Sequence, residues 1–124
     1  FTFDGAVTSG EVLAVGGIAT VGPISFSGNT MTAQLTGVTS AEVVTLRVQN
    51  INADGQPHGD VPFGFLTADV NGNRTVNASD VALAKSQSGQ PVNATNFRSD
   101  VNANGIINAS DVAAIKSRAG TVLP

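Results

Sequence analysis

An eighteen-residue stretch occurs twice in this chain. Residues 69–86 read DVNGNRTVNASDVALAKS and residues 100–117 read DVNANGIINASDVAAIKS, 31 positions apart and identical at 12 of 18 places. Each copy opens with acidic or amide side chains at alternate positions, closes on an aspartate and runs into a helix-compatible segment. Alternating oxygen-bearing side chains in a turning loop are the ligand pattern of a hard cation. The repeat therefore constrains the C-terminal half to a pair of loop–helix units.

Numbered from its first aspartate, the first loop offers Asp69, Asn71 and Asn73 at positions 1, 3 and 5. The carbonyl of Thr75 follows at 7, Asn77 at 9 and Asp80 at 12. The second loop offers Asp100, Asn102, Asn104, the carbonyl of Ile106, Asn108 and Asp111 in the same order. Calcium takes six to eight such oxygens in loose geometry, so two Ca2+ sites are expected. The second is expected to be the more secure, because position 6 there is Gly105 where the first loop has Arg74, and the sharp turn favours glycine. Asp111→Ala is accordingly expected to harm calcium-driven ordering more than Asp80→Ala. Two carboxylates per loop point to a weak extracellular affinity, Kd ~10⁻⁴–10⁻³ M. Asn77 and Asn108 are suited to cap the helices, and Gly89 and Gly120 to end them after about ten residues. Val81, Leu83 and Ala84, then Val112 and Ile115, give each helix a narrow apolar stripe. Val76 and Ile107, at position 8, are expected to pair the loops with each other, and Phe97 to fill the small core.

Composition excludes several classes. The net charge of −3 and a sequence pI near 4.7 argue against nucleic acid as partner. No cysteine is present, so disulfides cannot stabilise so short a chain, which leaves metal or partner contacts. The longest apolar run, Val12 to Val21, is broken by Gly16 and Gly17 and is no transmembrane segment. The first residue is Phe, with no leader in view, and a processed or partial extracellular chain is expected.

Residues 1–66 read as β-structure. Glu11–Val15, Ile18–Val21 and Pro23–Phe26 are short apolar stretches between turn residues. Met31, Ala33 and Leu35 alternate with Thr30, Thr32 and Gln34, and Val44, Leu46 and Val48 alternate with Thr45, Arg47 and Gln49. Asn52-Ala53-Asp54-Gly55 marks a turn, and Val61–Leu66 a last strand. Five or six strands suggest an antiparallel sandwich in about two thirds of the ~100 residues an immunoglobulin-like one takes, so two readings stand side by side: an incomplete, open-edged sandwich whose edge invites strand addition, and a small complete or truncated β-domain. His58, the only histidine, is expected in an exposed turn, without the partners a zinc or catalytic site needs. The domains expected are thus a β-sandwich-like module, 1–66, and a calcium-binding module, 67–124. Asn73, Asn77, Asn93 and Asn108 begin Asn-x-Ser/Thr sequons; only Asn93, outside the metal positions, suits a surface glycan.

From residue 69 to about 120 the tandem Asp-Val-Asn-x-Asn…Asn-Ala-Ser-Asp pattern resembles the type I dockerin, a module of two calcium-binding, EF-hand-like loop–helix repeats in secreted bacterial proteins. The preceding β-module would then be a partial immunoglobulin-like or cohesin-like sandwich. The resemblance implies binding to a cohesin through positions 10, 11, 17 and 18 of each repeat. These are Ala78, Ser79, Lys85 and Ser86, then Ala109, Ser110, Lys116 and Ser117. The two sets match closely, which implies a nearly two-fold symmetric face.

Three functions compete. The first is a non-catalytic, calcium-stabilised extracellular structural protein whose copies dock head-to-tail into a surface filament or similar assembly. The alternative is a C-terminal dockerin attachment module of a larger secreted protein, binding a separate cohesin. The least expected is a glycosidase fragment, since no carboxylate pair outside the loops is spaced for acid–base work.

Overall fold

The computed structural model describes residues 1–124 and divides into two compact units, Phe1–Phe65 and Leu66–Pro124. The first holds five strands, β1 (Glu11–Gly16), β2 (Thr20–Ser27), β3 (Thr30–Thr36), β4 (Glu42–Gln49) and β5 (Pro57–Phe65). They form two antiparallel sheets, one in the order β1-β4-β5 and one of β2-β3.

Strict alternation sets which face is buried. On β4 Val44, Leu46 and Val48 are buried, and on β3 Met31 is fully buried with Ala33 and Leu35 packed beside it. Val21, Ile24 and Phe26 of β2 and Val12 of β1 complete a core shared by the two sheets, a small sandwich. The stretches Ile18–Val21 and Pro23–Phe26 do not form separate strands. From Thr20 on both belong to β2, with Ile18 and Ala19 preceding it; its register slips between Val21 and Ile24, and the bulge accommodates Pro23, which has no N–H for the ladder. The β1–β2 connection requires Gly17, at φ +75°, because a Cβ there would lie 2.4 Å from the Val43 carbonyl oxygen. Asn52 ties the N-terminal segment down, donating to the Ala6 carbonyl and accepting from the Thr8 N–H.

β5 starts at Pro57, earlier than the expected Val61. His58 is therefore a strand residue, not a turn residue, and its Nε2 lies 2.6 Å from Asp54 Oδ2. The last strand also ends at Phe65, and Leu66 packs in the core of the second unit.

That second unit contains α1 (Ala78–Gln87) and α2 (Ala109–Ser117). Its core gathers Ala68, Val70, Val76, Ala84, Val112 and Ile115. Leu83 and Phe97 fall outside it. Leu83 is exposed, and Phe97, 56% exposed in a short 3-10 turn at Phe97–Ser99, does not fill the core as expected. Ala84 of α1 and Val112 and Ile115 of α2 fill that core instead.

Glu42 at the start of β4 fastens two turns: Oε2 accepts from the Thr39 hydroxyl at 2.7 Å, and Oε1 from the Ile18 N–H. The Thr39 hydroxyl first, then the Ile18 N–H, hold this carboxyl below the usual carboxylate range. A folded-state pKa below the unfolded one contributes stability above the unfolded value, about 4.3, and loses it as pH falls through the folded value. Glu42→Gln is expected to weaken the β unit near neutrality and to reduce its further loss on acidification, read as urea midpoints of β-unit resonances from about pH 6 to about pH 3.

Candidate metal-binding loops

The two loops have the same hydrogen-bond pattern. In the first, Asp69 accepts the N–H of Asn73 on Oδ1 (3.0 Å) and of Arg74 on Oδ2 (2.8 Å). Asn71 Oδ1 accepts from the Asn73 N–H, Asn73 Oδ1 from that of Thr75, and Asn77 Oδ1 from that of Ser79. In the second, Asp100 takes the N–H groups of Asn104 (3.1 Å) and Gly105 (2.8 Å), and Asn102, Asn104 and Asn108 repeat the series. Loop N–H groups thus hold the side-chain oxygens at positions 1, 3, 5 and 9. The amide nitrogens of Asn71 and Asn102 are taken up by the hydroxyls of Ser79 and Ser110, each at 2.7 Å, which fixes which end of each amide faces its loop.

Position 12 is the deepest point. Asp80 and Asp111 are fully buried. Asp80 accepts three N–H groups, from Val70 (2.9 Å) and Asn71 (3.1 Å) on one oxygen and Asn77 (2.9 Å) on the other. Asp111 accepts from Asn102 (3.3 Å) and Asn108 (2.9 Å). The bonds from Asn77 and Asn108 close a capping box at each helix, with those asparagines as N-caps.

This donor set fits a hard cation. No group of three or more His, Asp or Glu side chains gathers in the chain, and each loop combines two carboxylates with three amides and a position-7 carbonyl. Such an all-oxygen set suits calcium rather than zinc. The carboxylates supply the charge, and the backbone N–H groups fix their rotamers.

Backbone strain does not separate the loops. Positions 4 and 6 are left-handed in both: Gly72 (φ 74°) and Arg74 (φ 70°) in the first, Ala103 (φ 54°) and Gly105 (φ 84°) in the second. Each loop therefore holds one glycine and one strained residue, at roughly 1 kcal/mol each. The cost expected at Arg74 is matched at Ala103. The Arg74 side chain also donates to the Pro124 carbonyl.

Val76 and Ile107 are fully buried, but main-chain pairing joins neither loop to the other. Val76 exchanges hydrogen bonds with the segment after α2, donating to Thr121 and accepting from Gly120. Ile107 accepts from Gly89, after α1. Isolated bridges Thr75–Val122 and Pro91–Ile106 extend the two contacts. Each loop is clasped by the tail of the opposite repeat. This clasp was missed in the sequence, although Gly89 and Gly120 stand 31 residues apart and continue the period.

Ala78, Ser79, Lys85 and Ser86 on α1 and Ala109, Ser110, Lys116 and Ser117 on α2 are all exposed, at matching helix positions. The serines are pre-positioned: Ser86 and Ser117 donate to the carbonyls of Leu83 and Ala114. Asn93 is also exposed, with Oδ1 accepting from Thr95.

Asp80→Ala would leave three N–H groups without their acceptor, one buried and two half-buried, and Asp111→Ala two half-buried ones, and each variant also empties a fully buried side-chain site, so each should cost roughly 2 kcal/mol or more in the C-terminal unit. The equal backbone strain predicts calcium-affinity losses that agree within about threefold, as read by calorimetric titration of the two variants.

The family model of the dockerin type I domain matches residues 67–118, somewhat under half of the chain. No curated protein and no solved structure matches it. Dockerin type I domains are non-catalytic, generally calcium-binding modules that dock onto cohesin modules, and they occur in secreted or cell-surface proteins. No helix in this chain is long and apolar enough to cross a membrane. With its paired loops, capped helices and family match, the C-terminal segment is a type I dockerin-like module following an N-terminal β region.

Proposed function

We propose that this chain is a non-catalytic, extracellular attachment protein whose C-terminal unit, with calcium in both loops, docks onto a cohesin-type module. The observation that carries this is the duplicated loop–helix geometry of residues 69–117, coinciding with the family match. The ligands would be the side chains of Asp69, Asn71, Asn73, Asn77 and Asp80 and the carbonyl of Thr75. In the second loop they would be Asp100, Asn102, Asn104, Asn108 and Asp111 with the carbonyl of Ile106. When bound, calcium supplies positive charge that draws the loop oxygens together and stabilises both helix starts. The docking face would comprise Ala78, Ser79, Lys85 and Ser86 with their counterparts Ala109, Ser110, Lys116 and Ser117, all exposed and none contributing apolar core.

The family match favours attachment over head-to-tail self-assembly. Electron microscopy with calcium and then chelator distinguishes the readings: dispersed particles in both conditions support attachment, and filaments that dissolve on chelation support assembly.

The direct test is calorimetric titration with a type I cohesin, with calcium present and after chelation. Calcium-dependent binding is expected. Because the two helices present equivalent faces, Lys85→Glu together with Lys116→Glu should cost about tenfold or more in affinity, and either change alone distinctly less. Binding that survives chelation, or that ignores the double change, would refute the assignment of this face.

A further inference from the structure

The chain holds two Asn-Gly pairs, Asn71-Gly72 and Asn104-Gly105, one in each loop but at different places: positions 3 and 4 in the first, 5 and 6 in the second. Before a glycine, an asparagine side chain is open to attack by the following backbone nitrogen, because no Cβ screens that nitrogen and the peptide turns freely. Both pairs are exposed, so access of water does not separate them. Nor does the electrophile. Asn71 Oδ1 accepts from the Asn73 N–H and Asn104 Oδ1 from the Ile106 N–H, each at 3.0 Å, so both side-chain carbonyls are polarised alike.

The two nitrogens differ in hydrogen bonding and in neighbouring charge. The Gly105 N–H donates to Asp100 Oδ2 at 2.8 Å, a charge-assisted bond that holds the proton which would have to leave. Position 6 of the first loop is held in the same way, Arg74 donating to Asp69. Position 4 is not: the Gly72 N–H meets no acceptor in the chain. A cation also overhangs Gly72, since Arg98 Nη1 stands 2.7 Å from where a Cβ would be, and Arg98 belongs to no ion pair. Around Gly105 nothing lies within 4 Å of that point. Positive charge beside Gly72 stabilises its nitrogen as the proton departs, whereas the Asp100 carboxylate does the opposite at Gly105. Ala103, at position 4 of the second loop, has the Cβ that Gly72 lacks.

We propose that Asn71 is a site of spontaneous conversion to an acidic residue in the folded protein, and that Asn104 is spared. The Gly72 nitrogen gives its proton to solvent base and bonds to Asn71 Cγ. The Cγ–Nδ2 bond breaks, and ammonia leaves with a proton from solvent. Water then opens the cyclic imide, at Cγ to give aspartate or at the main-chain carbonyl to give isoaspartate. The net change is one water consumed and one ammonia released, with no oxidation or reduction. Either product adds a carboxylate to a loop whose acidic side chains are Asp69 and Asp80. The aspartyl product keeps an oxygen where Asn71 Oδ1 stands, while the isoaspartyl product lengthens the main chain and displaces the positions that follow. The Ser79 hydroxyl, which accepts from Asn71 Nδ2 at 2.7 Å, must then turn and donate instead. The effect on calcium rests on the ligand set proposed above; the choice of Asn71 over Asn104 does not.

The test incubates the 124-residue protein in mildly alkaline buffer with calcium, folded and in denaturant, and follows amide-to-acid conversion by peptide mapping and mass spectrometry. In the folded protein Asn71 is expected to convert about tenfold or more faster than Asn104. In denaturant the two rates should converge, because both asparagines precede glycine. Arg98→Gln should slow Asn71 roughly threefold and leave Asn104 unchanged. Equal rates in the folded protein, faster loss at Asn104, or a difference that persists in denaturant would overturn the proposal. So would a folded Asn71 that stays intact while the unfolded chain converts. Asn71→Asp, titrated calorimetrically, should raise the calcium affinity of the first loop roughly fivefold. An unchanged or weaker affinity would overturn that consequence while the mapped site stands.

Discussion

Asp80 and Asp111 are charges taken entirely out of water, and the C-terminal unit closes around them. A buried carboxylate costs several kcal/mol unless hydrogen-bond donors surround it. Around Asp80 the donors are Val70, Asn71 and the helix cap Asn77, and around Asp111 they are Asn102 and the helix cap Asn108. One side chain thereby couples the loop's path to the first turn of its helix. Any cation held by the loop oxygens acts on the same carboxylate, so metal, loop and helix start are linked through one residue. This explains how helices of ten and nine residues, too short to persist alone, are held with so few apolar contacts.

The cross-clasp makes that linkage mutual. The first loop's position 8 pairs with the chain after the second helix, and the second loop's with the chain after the first. One repeat in isolation would lack its partner strand and leave its buried position-8 residue uncovered. The repeats must order together, and the two-fold relation of their exposed helix faces follows from that folding requirement. Two equivalent exposed helix faces arise without either being selected separately.

Much of this was legible because it rests on local rules. Within each copy of the 31-residue period the oxygen alternation and the N-cap asparagine lie within a few residues of one another, and β3 and β4 alternate without interruption. What was not legible depends on where segments meet. Phe97 reads as core by size, but it falls in the short 3-10 turn between the repeats and is exposed, and Ala84, Val112 and Ile115 fill the core. Val76 and Ile107 read as partners by symmetry, yet tails far along the chain pair with each of them. Arg74 reads as a defect against Gly105 until position 4 is compared, where Gly72 and Ala103 reverse the balance. The start of β5 was obscured because Pro57, Gly59 and Pro62 suppress the strand signal that pairing with β4 overrides.

Those same residues bear on a sandwich whose β5 leaves Val61 and Phe63 38% exposed. A surface strand is free to carry polar side chains on both faces, and β5 does place Asp60 outward, ion-paired with Arg47 at 2.8 Å. Its inward positions are nevertheless Val61 and Phe63, aligned with the fully buried Val44 and the buried Leu46. Apolar residues at alternate positions on one face are the pattern of a covered strand. β5 is thus composed as an interior strand on its inner face and as a guarded edge, with two prolines, along its length. β3 carries no such guard, its sequence TMTAQLT holding no proline, glycine or charge, and its half-buried Ala33 and Leu35 line the same apolar groove as Val61 and Phe63.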